Sequence, residues 1–293
     1  MSPTIRRMAT TKHLAFLGKG IPHHTSGGAT GGKCIAKHVP SYEPTQSSCT
    51  HRWQAFEKAM ENKGTYKLTD DQVKALGGGK WSLLFRGGQK VVSKLVAARE
   101  TAEVSTENKG MYQHLVAKPG KGEDWDVGHG RNFKWDCNVP YYHEAHHVVP
   151  DATVRTALMK VFDAQVAVWV ATKMLEVPYC VHHKDNMLIL PMDARVGDVL
   201  QLPIHRETKQ CNHNRYDEFI LKKLVKRMQA VQEQILEEHD KDDDAPKTKD
   251  LAKGIEKDAE ALYSQVAAAR REHKVVSIEE YGQMMLSTPP KGS

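Results

Sequence analysis

Apolar spacing divides the chain into helical and extended stretches. Trp53, Phe56, Ala59 and Met60 recur at the three-to-four interval of one helix face. Thr69-Asp70-Asp71-Gln72 reads as a helix start, with glutamine three residues after the capping threonine, and Gly77-Gly78-Gly79 as the end of that short helix. A further helical pattern covers about 88–103, and 110–135 reads as a basic loop. The strongest pattern spans 152–176. There Val154, Leu158, Val161, Phe162, Val168, Trp169 and Met174 make more than one face apolar, which predicts one central, buried helix. Pro178 ends it, and Asn186-Met187-Leu188-Ile189-Leu190-Pro191 reads as a short extended piece. Phe219, Ile220, Leu224, Met228, Val231 and Ile235 form the stripe of a helix over 214–238. The acidic run 237–244 reads as a solvated linker, followed by a helix over 248–273 and a short one from Ser277.

Residues 1–48 are rich in Gly, Ser, Thr and Pro and show no sustained period, so they read as an arm. The organisation expected is therefore an arm over 1–48, a small helical region over 49–135, a chemistry-bearing domain over 136–238, and an acidic linker with C-terminal helices over 239–293. The fold class is α+β, predominantly α-helical.

Composition narrows the class. A chain of 293 residues with 40% hydrophobic and 27% charged side chains can bury a core, which excludes global disorder. No run approaches the roughly 18 apolar residues of a membrane span, so membrane insertion is not expected. The apolar patch Leu14–Leu17 is too short for a secretory signal, despite Arg6, Arg7 and Lys12 before it. Five cysteines, an odd number without framework spacing, argue against a disulfide scaffold. The net charge of +6 gives a weak lean toward polyanions. Histidine is more informative: seven of the 16 fall between His143 and His213, a density that suggests metal binding or proton transfer.

Glu144-Ala145-His146-His147-Val148-Val149-Pro150 carries the sharpest signal. Two adjacent histidines before β-branched residues suggest a strand end whose imidazoles point in opposite directions. Downstream stand Asn186, then Leu202-Pro203-Ile204-His205, then His213-Asn214-Arg215-Tyr216 at a helix start. A second grouping, Cys180-x-x-His183 with Cys211-x-His213 and Cys137, offers a structural zinc set instead. His182-His183-Lys184 otherwise reads as an exposed turn.

In that order, Ala145-His146-His147, Asn186, His205 and His213 with Tyr216 resemble the AHH branch of the HNH/endonuclease VII superfamily, over about residues 141–225. The resemblance implies a small ββα-metal core. The 38 residues between His147 and Asn186 then imply a helical insertion within that core. It also implies a metal-dependent, largely non-specific endonuclease acting on DNA, with RNA as the other substrate. His147 would be the general base, with Asn186 orienting it or tying the strands together. His146, His205 and His213 would hold one divalent ion, Mg, Mn, Zn or Ni. Lys184, Arg206, Lys209, Arg215 and Tyr216 would contact nucleic acid.

The chemistry requires such a convergence. Phosphodiester hydrolysis needs on the order of 20 kcal/mol removed from its barrier, and one general base supplies only about 10²–10⁴-fold. The branch further implies a bacterial toxin, secreted without a classical signal, acting in a target cell's cytoplasm and neutralised by an immunity protein; otherwise a cytoplasmic protein is expected. The rival reading is a non-catalytic nucleic-acid- or protein-binding module around a structural zinc.

Overall fold

The computed structural model describes residues 51–76, 83–84, 114–115, 121–130, 132–133, 140–141, 143–176, 181–206, 213–241 and 244–288. The expected arm, the helix over 88–103, Lys209, and Cys137, Cys180 and Cys211 lie outside them. The fold is predominantly helical with small two-stranded sheets, as the apolar pattern implies. Among the described residues no helix is long and apolar enough to cross a membrane.

In chain order the elements are α1 His51–Glu61, α2 Lys63–Tyr66, α3 Asp70–Ala75, β1 Leu83–Leu84, β2 His114–Leu115, β3 His143–His147, α4 Asp151–Val161, α5 Ala164–Glu176, β4 Met187–Pro191, α6 Ala194–Leu200, α7 Asn214–Gln229, α8 Gln232–Lys241, α9 Pro246–His273 and α10 Ile278–Ser287. β3 pairs with β4 across the inserted helices α4 and α5, and β1 pairs antiparallel with β2. The predicted cap on α3 is a full capping box: Gln72 N donates to Thr69 Oγ1, and Thr69 N donates to Gln72 Oε1.

The chain folds as two compact units, each made of discontinuous segments. The first draws on residues up to 54, 147–187 and 217–263. Its core joins Val154 and Leu158 of α4, Val170 and Met174 of α5, Ile220, Leu224 and Met228 of α7, Ile235 of α8, and Ile255 and Leu262 of α9. The single helix expected over 152–176 is two. Phe162 leaves the helical region at φ −116°, and Asp163 restarts the chain by accepting from Gln165 N and Val166 N. A short polar side chain that satisfies the first free amides of a helix is a strong local stop-and-start signal, and it overrides the continuous apolar period.

The helix expected over 214–238 is likewise broken, between Gln229 and Gln232. The acidic run is helical as far as Lys241 instead of forming a linker throughout. Glu238 is buried because its carboxylate accepts from Lys247 N and Thr248 N and so caps α9. Arg227 binds Asp258 through two nitrogens, with its guanidinium lying where a Cβ on Gly254 would stand.

The second unit draws on 55–146, 188–216 and 264 onward. Its centre is aromatic. Trp125 stacks on Tyr141, Phe133 packs against Tyr141 and His143, and Tyr66 packs on Phe133. The stretch read as a basic loop thus supplies two fully buried anchors, Trp125 and Phe133. Tyr66 also donates its hydroxyl to Ile189 O at 3.1 Å, pinning β4. The segment around Ile204 is held on both sides. His205 N donates to Pro191 O, Ile204 N to Val276 O, and Ile278 N to Ile204 O. Buried Arg270 reaches Val276 O and pairs with Asp198.

α10 packs through Gly282, where an added Cβ would stand 2.2 Å from Tyr216 N and 2.4 Å from Tyr216 Cα. Both are backbone atoms and cannot rotate away. Gly282→Ala is therefore expected to destabilise the protein by about 1–3 kcal/mol, read as a lower urea midpoint at unchanged m-value.

Candidate metal centre

Three histidines from distant parts of the chain meet in the second unit. His146 comes from β3, His205 from the segment clamped between Pro191 and the 276–278 backbone, and His213 from the residue before α7. Each offers a ligand nitrogen, and these atoms all lie within 4.8 Å of one another. Ring centroids are 5.1 Å apart for His146 and His205, 5.3 Å for His146 and His213, and 5.3 Å for His205 and His213. Nitrogens about 2.1 Å from a shared tetrahedral ion stand roughly 3.4 Å from one another. The triad therefore needs only small side-chain rotations to close on an ion, and the donor set fits one. Three protein ligands of four leave one position for water or an ester oxygen, the pattern of catalytic sites.

The surroundings prepare these rings. His205 Nδ1 lies 2.7 Å from Glu144 Oε2. Burial pushes the His205 pKa down, although its contact with Glu144 opposes the shift. Burial pushes the Glu144 carboxyl up, but the hydrogen bond and charge of His205, together with Arg206 at 2.5 Å, outweigh it and hold the pKa at about 2. His213 sits at φ 29°, a strained backbone conformation of the kind that persists at functional sites. Tyr216 is fully buried, its ring 5.1 Å from His146.

His147 belongs to a different cluster, in the first unit. Its Nε2 lies 2.7 Å from His182 Nδ1, and the His51 ring centroid is 5.6 Å from that of His147 and 5.7 Å from that of His182. His182 is fully buried, not an exposed turn, because the chain folds it inward between Val181 and the 3-10 turn Lys184–Asn186. Asn186 is buried too. Its Oδ1 accepts from Val149 N, and its Nδ2 donates to Val149 O and Val181 O. The carboxamide is thus engaged with backbone on both sides, which is the strand-tying alternative foreseen for it.

The residues expected to touch nucleic acid divide. Arg215 is exposed, and its backbone amide caps onto Glu279. Lys184 is half-buried in the 3-10 turn. Arg206 is engaged by Glu144, and Tyr216, being buried, packs against His146 and does not face solvent. Glu144 and His51 carry no expected role, and His182 was expected in an exposed turn. A signal existed for Glu144: two residues before His146 on a strand, it shares that residue's face. For His182 and His51 none did, since their value lies in a tertiary contact.

Residues 130–255 match the model of a family described as AHH, a nuclease family of the HNH/ENDO VII superfamily with conserved AHH. No curated protein and no solved structure matches the chain.

Removing the charge beside His205 tests its part in the centre. Glu144→Gln is expected to weaken divalent-metal affinity by about 10–100-fold, measured by competition with a chromophoric chelator.

Proposed function

We propose that residues 130–255, which match the AHH nuclease family, form a phosphodiester-cleaving endonuclease that cuts DNA without sequence preference around one cation held by His146, His205 and His213. The observation that carries this reading is the convergence of those three imidazoles inside the matched region. A divalent ion there supplies electrostatic stabilisation of the charge that builds on the phosphate and the leaving oxygen. An all-imidazole donor set favours zinc or nickel over magnesium.

The chain's own residues do the rest. His147, next to the ligand His146 in β3, takes the proton from the attacking water. Asn186 holds the backbone at Val149, two residues beyond that base. Arg215 and Lys184 contact phosphates, with Lys209 as a further candidate; such contacts give affinity without sequence information. Arg206 fixes Glu144, and through it His205.

The biological reading extends from the same family: an antibacterial effector acting in the cytoplasm of a target cell and held inactive by an immunity protein of acidic surface. The formal charge of +6 suits such a partner. Expression should be toxic to a bacterial host and the toxicity relieved by co-expressed immunity protein.

The decisive assay incubates supercoiled plasmid with the protein and Mg²⁺, Mn²⁺, Zn²⁺ or Ni²⁺. Cleavage is expected to require metal and to stop with chelator. His147→Ala should fall by at least about 10²-fold with metal binding retained, and His213→Ala should lose metal affinity. Tight zinc binding without cleavage under any metal would instead favour the structural-zinc module.

A further inference from the structure

We propose that His182 is a positioning residue for hydrolysis: it holds His147 as the Nε2–H tautomer, which leaves Nδ1 as the atom that accepts the proton from water. This rests on the reading of His147 as base. The two imidazoles stand 2.7 Å apart through His147 Nε2 and His182 Nδ1, with centroids 4.9 Å apart. One nitrogen donates and the other accepts. If His182 donated, His147 would carry its proton on Nδ1 and would have no lone pair left for water. Donation by His147 Nε2–H to His182 Nδ1 is the arrangement compatible with a base.

Burial gives this contact its force. His182 is fully buried. A water in its place could turn away or leave, whereas a packed ring keeps its Nδ1 at that distance from His147. The distance is also fixed from both sides by one side chain. Asn186 binds Val181, the residue before His182, and Val149, two residues after His147. Val148 N donates to Asn186 O as well. His51 supplies a third ring beside both. It precedes residues 130–255, so the surroundings of the base include a part of the chain outside the family match.

In the reaction the water O–H bond breaks, its proton passes to His147 Nδ1, and the water oxygen bonds to phosphorus. The bond from phosphorus to the leaving oxygen breaks and its electron pair departs with that oxygen, which solvent then protonates. His147 becomes an imidazolium, and its bond to His182 becomes charge-assisted, roughly twice as strong as a neutral one. The gain appears as the proton moves, so it belongs in kcat and not in KM.

The test uses the full metal-loaded chain. His182→Phe keeps a ring without a hydrogen-bond partner, His182→Asn places an amide oxygen near the position of Nδ1, and His182→Gln places one near Nε2. On plasmid, Phe is expected to lower kcat by on the order of 10–100-fold with KM nearly unchanged. Asn should restore most of it and Gln should not, with metal affinity constant throughout. Long-range ¹H–¹⁵N spectra should show His147 protonated at Nε2 in the parent protein and mixed in the Phe variant; this readout requires no substrate.

Full kcat in the Phe variant, an Asn variant no better than Phe, or His147 protonated at Nδ1 in the parent would overturn the proposal. A fully active His147→Ala would remove the base assignment and this inference together. An inactive His147→Ala beside an active His182→Phe would remove the inference alone.

Discussion

The buried carboxamide of Asn186 is the constraint on which the chain around His147 depends. Its three hydrogen bonds join the backbone just after β3 to the backbone just before β4. Each of these backbone groups would otherwise be buried without water, at a cost of about 1–3 kcal/mol apiece. The Asn186 side chain therefore specifies structure and not merely stability: it fixes where two inserted helices leave the sheet and where they return. α4 and α5 can occupy 38 residues between His147 and Asn186 without loosening the strand ends, because the ends are tied independently of what lies between.

His205 is fixed by a different route. Its segment has no regular strand of its own and borrows order from Pro191 on one side and the 276–278 backbone on the other. Arg270 reinforces that brace, reaching Val276 O while paired with Asp198. The family match ends at 255, so His205, inside the matched region, is positioned by chain outside it. A metal site demands rings placed to within a fraction of an ångström, and this brace would give His205 such a placement. Gly282 has the same meaning: α10 can approach the start of α7, next to His213, only because no side chain intervenes.

These two routes explain what was legible in the sequence. The three histidines that converge, the helical insertion and the capped helices are written in local signals: an ordered run of histidines, a period of apolar residues, a Thr-x-x-Gln box. The breaks at Phe162-Asp163 and after Gln229 were not, because a stripe of apolar residues continues through them and only the backbone turns away. Trp125 and Phe133 were hidden within a basic, glycine-containing stretch. They are core because Tyr141 and Tyr66 meet them, a fact no window of sequence contains. His182 looked like a solvated turn for the same reason. Spacing can say which residues share a face, but not which remote residue will be folded against it.

A cation held by the three histidines would also couple the protein's stability to its own binding. His146, His205 and His213 are separated by dozens of residues in places and converge only when β3, the braced 205 segment and the start of α7 are all in position. An unfolded chain does not present them together, so an ion held by all three would bind the native state in preference and add its binding energy to folding. Burial lowers the His205 pKa while its contact with Glu144 opposes that, and Arg206 binds the same carboxylate. Arg206, Glu144 and His205 thus form one chain of charged and polar contacts, so an ion held by His205 would be coupled to the rigidity of the fold around it.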